Sequence, residues 1–420
     1  MPNIPEECLD YHIIINPVSG VGSAPKFVED HVVPLLDAVN SRYHVHTTSS
    51  TGDAGRIGRM IKLEHSPPFR VIIAGGDGTA HEMMEGIIGD GEVGKWDLAV
   101  LPLGTANALH STLFPPGSPP VAVPPQLEAY VPESAEDRQK LASLILALSD
   151  AKPRKLPIVL TQLQPNAKDA SSEQPPAPIP SHIVLSTSLH AALLDDSEAL
   201  RAAIPGLERF KAAAAQNITV FFPARVELIP ANGGVQQLDP ATGAWVAAYS
   251  GVGAPEGKHV LEGPFAYFLS TVTTDRLEPR FVIVPTVADP GEGTMDIVVM
   301  RPHRDPLVQA ALAAGGDGTD VWPARISEVL TAAYDEGKHV RLVYDESGKI
   351  VPASKPGDTN VTVETFRCKG FKWAPTDSTH AKSHLVCADG SIYTIPEGGS
   401  AEGTVMDQSS DEHGFWVWGA

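Results

Sequence analysis

Hydrophobic positions change their rhythm about a third of the way along this chain. Up to residue 150, short unbroken apolar runs (Tyr11–Ile15, Arg70–Ala74, Asp97–Pro102) alternate with stretches of helical spacing, such as Phe27, Val28, His31, Val32, Leu35, Leu36 and Val39. Tyr43–Thr47 alternates as a further strand, and Leu141, Leu144, Ile145 and Leu148 share one helical face. A continuous β-branched run needs cover on both faces, and strands alternating with helices predict a parallel sheet between helical layers. Pro34 falls inside the first helical pattern and should kink it. From Lys155 short alternating runs dominate, among them LPIVLTQL, NITVFFPARVELI, GPFAYFLSTV, TMDIVVMRP and NVTVETFRCKGFKW, which predict an antiparallel β-sandwich. HAALLDDSEALRAAIPGLERFKAAAA is the helical exception in that half. The pattern predicts an α/β domain over 1–150, a β-rich domain over 151–400 with an insertion at 165–180, and a flexible tail at 401–420. Phe415, Trp416 and Trp418 in that tail fit either a loose end or a contact with a bilayer interface.

Length and charge narrow the picture. A chain of 420 residues exceeds what one core supports, in line with two domains. Its 31 Lys and Arg against 51 Asp and Glu give a net charge of −20, which argues against nucleic acid as a partner and against a polybasic membrane anchor. No apolar run is long enough to span a bilayer, and MPNIPEECLD has no secretory character, so a cytoplasmic protein that touches membranes peripherally is expected. Cys8, Cys368 and Cys387 form no paired motif, and reduced thiols are expected.

The most informative stretch is FRVIIAGGDGTAHE, residues 69–82. A buried strand runs into Gly75, Gly76 and Gly78, where the backbone is free to take positive φ and a bulky anion can approach the amides. Thr79 and Glu82 have the spacing of a capping box, placing a helix N-terminus beside the turn and completing an anion site. Asp77 lies inside it. A carboxylate beside bound phosphate is costly unless it holds a metal or takes a proton, which makes Asp77 the candidate catalytic residue. Two more glycine-rich turns follow strands: NPVSGVGSAP, with Asn16, Pro17, Ser19, Gly20 and Gly22, and LGTANALH, with Gly104, Thr105, Ala106 and Asn107. The first could hold phosphate or be a plain surface turn. GGDGT recurs at Gly315–Thr319, but there an Ala-rich helical stretch precedes it; a helix C-terminus repels phosphate, so this copy is expected to be structural. His81, His110 and His190 lack metal-ligand spacing and are expected to be packed or solvated, and no metal-ligating residues are assigned.

With NPVSGVGSA, GGDGTAHE and PLGTANALH in order at strand ends, the chain resembles the diacylglycerol kinase and sphingosine kinase superfamily, nearest the sphingosine kinase branch. The resemblance implies a nucleotide-binding α/β domain like those of phosphofructokinase and NAD kinase, a β-rich lipid-binding domain, and a kinase using ATP and Mg²⁺ on a lipid substrate. Carried over by position, it implies ATP contacts at Asn16, Pro17, Val18, Thr48, Gly75, Gly76, Gly78, Glu82, Gly104, Thr105, Ala106, Arg201, Arg209, Asp389 and Gly390, with Asp77 as general base. Asp195 and Asp196 lie near the position of a lipid-recognising acid, several positions out of register. Val18, Ser19 and Val21 replace basic residues of the sphingosine kinase loop, and Ser391 stands where a late Asp-Gly-Glu segment has Glu. A nucleotide-phosphorylating enzyme of NAD kinase type and a catalytically silent lipid-binding scaffold are the alternative readings.

Overall fold

The computed structural model describes residues 10–166, 176–200, 203–204, 206, 208–248, 259–286, 293–407 and 410–420. They form two compact units, the first running to Leu156 and taking back the end of the chain from Gln408, the second running from Pro157 to Asp407.

In the first unit, β1 (Asp10–Ile15), β2 (Arg42–Thr47), β3 (Phe69–Gly75) and β4 (Lys95–Pro102) are parallel, in the spatial order β2-β1-β3-β4. Alternation along β1 sends Tyr11, Ile13 and Ile15 into a core shared with Leu35, Leu36, Leu101, Leu144 and Ile145, while His12 and Ile14 take the other face. Helical turns α1 (Ala24–Phe27) and α2 (Val33–Ala38) are joined by a π-helical turn, Val28–Val32. Pro34 accounts for that turn: with no N–H to donate and a ring that crowds the preceding turn, it makes the coil widen just ahead of it. On the opposite face α3 (Asp53–Glu64) packs on α4 (Asp77–Gly89) through glycines; a methyl group on Gly55 would lie 2.7 Å from the Glu82 carbonyl oxygen. This close crossing ties the GGDGT helix to its neighbour.

The end of the chain is not a flexible tail. Ser400–Val405 is a strand of the second unit, paired with Val159–Gln164. Gly414–Val417 returns to the first unit, parallel to β4, and pairs on its other side with β5 (Arg154–Lys155). Phe415, Trp416, Val417 and Trp418 are all buried. Ser143 Oγ donates to the Trp418 carbonyl (2.7 Å) and accepts from the Val100 amide (3.1 Å), locking this strand over β4. The polar composition of 401–413 suggested disorder, but four consecutive large residues beside an open edge of β4 gain more by pairing and burial than ordering costs.

The second unit is the expected antiparallel sandwich. One sheet is ordered Trp245–Ala247, Gln236–Leu238, Glu364–Cys368, Met295–Met300, Tyr267–Thr271, Leu185–Thr187, Leu385–Ala388, Ser391–Thr394; the other His259–Glu262, Ala224–Ile229, Gly370–Pro375, Ser400–Val405, Val159–Gln164, Ile179–Ser181. Both contribute to one core centred on Phe265, Phe268, Phe371 and Trp373. Of the insertion expected at 165–180, residues 167–175 lie outside the described residues, and Ile179–Ser181 is an edge strand. Cys368 and Cys387 are buried free thiols, each pushed up to about 12 by burial. Cys8 lies outside the described residues.

Candidate active site

The path β1 to β2, then back across β1 to β3, reverses the strand order between β1 and β3. In open α/β sheets the crevice above such a reversal, at the carboxyl ends, is where ligands bind. Here that edge carries the turn after β1 (residues 16–23), the turn after β3 (75–79) and the turn after β4 (103–107).

These turns are knit together. Asn16 bridges the crevice, its amide N–H donating to the Ala74 carbonyl (3.0 Å) and its Nδ2 to Thr79 Oγ1 (3.1 Å), while its Oδ1 accepts from the Val18 amide (3.2 Å). Leu103 N–H donates to the Gly75 carbonyl at 3.0 Å. Gly75 and Gly76 are required by space and not by positive φ: Gly75, Gly76 and Gly78 are absent from the positive-φ positions. A methyl on Gly75 would come within 2.6 Å of Thr79 Oγ1, and one on Gly76 within 3.1 Å of Gly104 Cα. Gly20, at φ 57, does need the left-handed region, and a methyl there would meet the Leu103 carbonyl oxygen at 2.6 Å. Around Gly78 there is open space. The turn thus has walls of bare backbone and one open side.

The expected capping box is not formed. Gly76 is the N-cap, in extended conformation, and α4 begins at Asp77, so Thr79 is the third helical residue and Glu82 belongs to the second turn. Thr79 N–H donates to the Gly76 carbonyl (3.0 Å), and its hydroxyl is taken by Asn16. Helix initiation three residues earlier than a capping box at Thr79 would give places the acid of GGDGT, rather than the threonine, at the helix start, where the dipole favours negative charge.

Asp77 is half-buried. Its Oδ2 accepts from the Ala108 amide at 2.7 Å and its Oδ1 from the Leu109 amide at 3.3 Å, the first two residues of α5 (Ala108–Leu113). Asn107, at φ 52, turns the chain into α5 and grips the preceding glycine from both sides: Gly104 N–H donates to its Oδ1 (2.8 Å) and its Nδ2 to the Gly104 carbonyl (2.9 Å). The first amides of α5 therefore hold in place the carboxylate that opens α4. A carboxylate has about four acceptor sites, so an acid anchored in this way is also of the type that takes a proton.

Residues 10–135 match the family of the diacylglycerol kinase catalytic domain. Mitochondrial acylglycerol kinase of Xenopus laevis is 28% identical to the chain over 106 residues, 24% of each protein, and human sphingosine kinase 2 is 26% identical over 100 residues, 23% of this chain and 15% of that protein. The chain thus spans about a quarter or less of the length of these curated relatives. A diacylglycerol kinase structure from Bacillus anthracis str. Sterne covers 95% of this chain and 94% of its own, at 16% identity and a TM-score of 0.46.

In the first unit, Asn16, Pro17, Gly75, Gly76, Asp77, Gly78, Gly104, Thr105 and Ala106 gather on one edge, with Val18 exposed at the rim. Thr48 follows β2 on the same edge and is buried, its N–H donating to the Ile15 carbonyl at 2.9 Å. Beside it Asp53 accepts from the Ser49 amide and hydroxyl and from Arg56 Nε (2.6 Å), contacts that hold its carboxyl below the usual range, Arg56 foremost. Sequence reasoning did not single out this Ser49–Asp53–Arg56 knot, although Ser-x-x-x-Asp at a helix start is a legible signal. Glu82 is half-buried in α4 with its carbonyl against Gly55.

The remaining candidates belong to the second unit. Arg201 lies outside the described residues. Arg209 is buried, donates to the Gly206 carbonyl (3.0 Å) and stacks over Phe210 at 4.4 Å. Asp389 is buried at φ 51, ahead of Gly390 at φ 96, and its carboxylate accepts from the amides of His182, Ile183 and Val184 and bonds His182 Nδ1 at 2.7 Å. Asp195 and Asp196 diverge. Asp195 is exposed, whereas Asp196 meets Lys382 Nζ (2.7 Å) and Asn217 Nδ2 (2.6 Å), so its carboxylate is engaged within the unit. The second GGDGT has the local role expected: Gly315, at φ 86, follows the helix Pro306–Ala313, and Asp317 Oδ1 accepts from Thr319 N–H and hydroxyl. His110 bonds the Gln139 carbonyl and His190 bonds Ser186; burial drives each imidazole down to about 4.

Proposed function

We propose that this protein is an ATP-dependent lipid kinase that phosphorylates the primary hydroxyl of a sphingoid long-chain base or of a diacylglycerol, drawn from a membrane it touches only at the surface. The observation that carries the reading is Asp77: an acid at the first turn of α4, fixed by the amides of a second helix, in a crevice walled by glycine backbone. Bare backbone beside the open space at Gly78 fits a triphosphate, whose oxygens need close-approaching N–H donors. Asp77 accepts the hydroxyl proton as the acceptor oxygen bonds the terminal phosphorus and the bond from that phosphorus to the bridging oxygen breaks, releasing ADP. Mg²⁺, which takes most of its ligands from phosphate and water, would be held beside Asp77 and would neutralise phosphate charge. The Asn16–Thr79 and Leu103–Gly75 bonds keep the three turns at fixed spacing and Asn107 shapes the third, which supplies the positioning on which phosphoryl transfer depends.

The test is incubation of the protein with labelled ATP and a panel of sphingoid bases, diacylglycerol, ceramide and NAD in vesicles and in vesicle-free buffer. Label in a sphingoid base or diacylglycerol is the expected result. Label in NAD alone, without vesicles, would move the protein to the nucleotide kinases, and lipid binding without any transfer would make it a scaffold.

A further inference from the structure

On the α3 face of the first sheet, away from the crevice, four histidines form one stack. His12 of β1 is 3% exposed and lies 5.0 Å from His44 and 5.4 Å from His46, both of edge strand β2, and 4.4 Å edge-on from His65, which ends α3 (ring centroids). His44 and His65 are themselves 5.3 Å apart. His12 Nδ1 is paired with His46 Nε2 at 3.2 Å, and His44 Nε2 lies 3.1 Å from Asp10 Oδ1. Among the described residues no group of three or more His, Cys, Asp or Glu is arranged to hold a metal ion, so what these pairs offer is proton binding.

We propose that the bonded pair His12 and His46, packed against His44 and His65, is a proton-sensitive latch, holding edge strand β2 against β1 while the pair is neutral and loosening it when both rings become charged. The His12–His46 bond needs one nitrogen with a proton and one without. When both rings are protonated, both nitrogens are donors and the bond becomes a repulsion. Asp10 of β1 favours charge but is shared with His44 and, at 3.8 Å, with Arg42; β3 presents apolar Val71 opposite His12. From α3, Glu64 favours a charged His46 while Arg56 opposes it. Burial, with the neighbouring imidazoles next, lowers His12 to about 4, and burial lowers His46 also.

The sign follows from linkage. Rings that bind protons less readily folded than unfolded stabilise the fold fully above the unfolded value of 6.5, and that contribution fades as pH falls from there toward about 4. For His12 alone the folding equilibrium constant falls about tenfold between about pH 7.5 and about pH 5.5. The effect is local, because β2 has a neighbour on one side only.

The experiment compares the full-length chain with His12→Asn and His46→Gln, all in EDTA, by urea unfolding and amide exchange at those two pH values. The native chain should lose about tenfold more folding constant than His12→Asn over this interval, with protection factors falling first in Arg42–Thr47. Should His12→Asn fail to fold, His46→Gln carries the test, since it removes the other titrating ring of the same pair from the edge strand while leaving an uncharged hydrogen-bonding group in its place. Equal pH dependence in native chain and variant, or acid-induced exchange that begins outside β2, overturns the latch. Neither readout needs turnover, so the latch and the kinase reading stand or fall separately.

Discussion

Changing Asp77 to Asn separates the two roles its geometry allows, clamp and base. Asparagine keeps the shape and one acceptor oxygen, so the 2.7 Å bond from the Ala108 amide can be retained, but the amide NH₂ now faces the Leu109 N–H that the carboxylate accepted at 3.3 Å. Losing the longer bond and the charge on the shorter one should cost about 1–2 kcal/mol. The favourable placement of negative charge at the start of α4 and α5 adds about 0.3–1 kcal/mol to that loss. A domain of ordinary stability survives a change of this size, about 5–15 kcal/mol being typical. Removing a base in phosphoryl transfer costs about 10²–10⁴-fold in rate. Turnover of Asp77→Asn under saturating ATP should therefore fall by about 10²-fold or more, with ATP affinity within about fivefold and a small drop in the urea midpoint. The assay is phosphate transfer to the lipid identified in the panel, alongside ATP titration and urea unfolding. A variant that loses the expected stability but keeps turnover would show Asp77 to be a clamp only.

Three further outcomes test the surrounding structure. Gly104→Ala places a methyl 2.9 Å from Asn107 Oδ1 and against the Gly76 backbone, so it should cost about 1–3 kcal/mol in urea unfolding and weaken ATP binding together. Trp418→Ala empties a core position and loosens the strand beside β4; a loss of about 3–5 kcal/mol is expected in urea unfolding, and a loss under about 1 kcal/mol would make the end of the chain the loose tail its composition suggests. Asp317→Asn, in the second GGDGT, should leave turnover unchanged, since that carboxylate serves Thr319 of its own exposed turn; a loss comparable to that of Asp77→Asn would refute the distinction between the copies.

The hydrophobic rhythm by itself determined the two-part plan, the parallel sheet and the sandwich, because burial on one face, on both faces or on a helical stripe each leaves a different periodicity. The strand-glycine-helix order likewise distinguished GGDGT at 75–79, between β3 and α4, from its copy at 315–319, which follows a helix, since local geometry follows from neighbours in sequence. What only the tertiary structure decided involves partners far apart in the chain. That Asp77 is held by Ala108 and Leu109, that Asn16 reaches Thr79, that Asp196 is engaged by Lys382, and that Trp418 closes over β4 through Ser143 are all contacts across 31 to 275 residues. No spacing rule reports such pairs. The four histidines show it most plainly: along the chain they are one residue of an apolar run, two of an alternating strand and one at a helix end, and only strand register and the α3 packing make them neighbours.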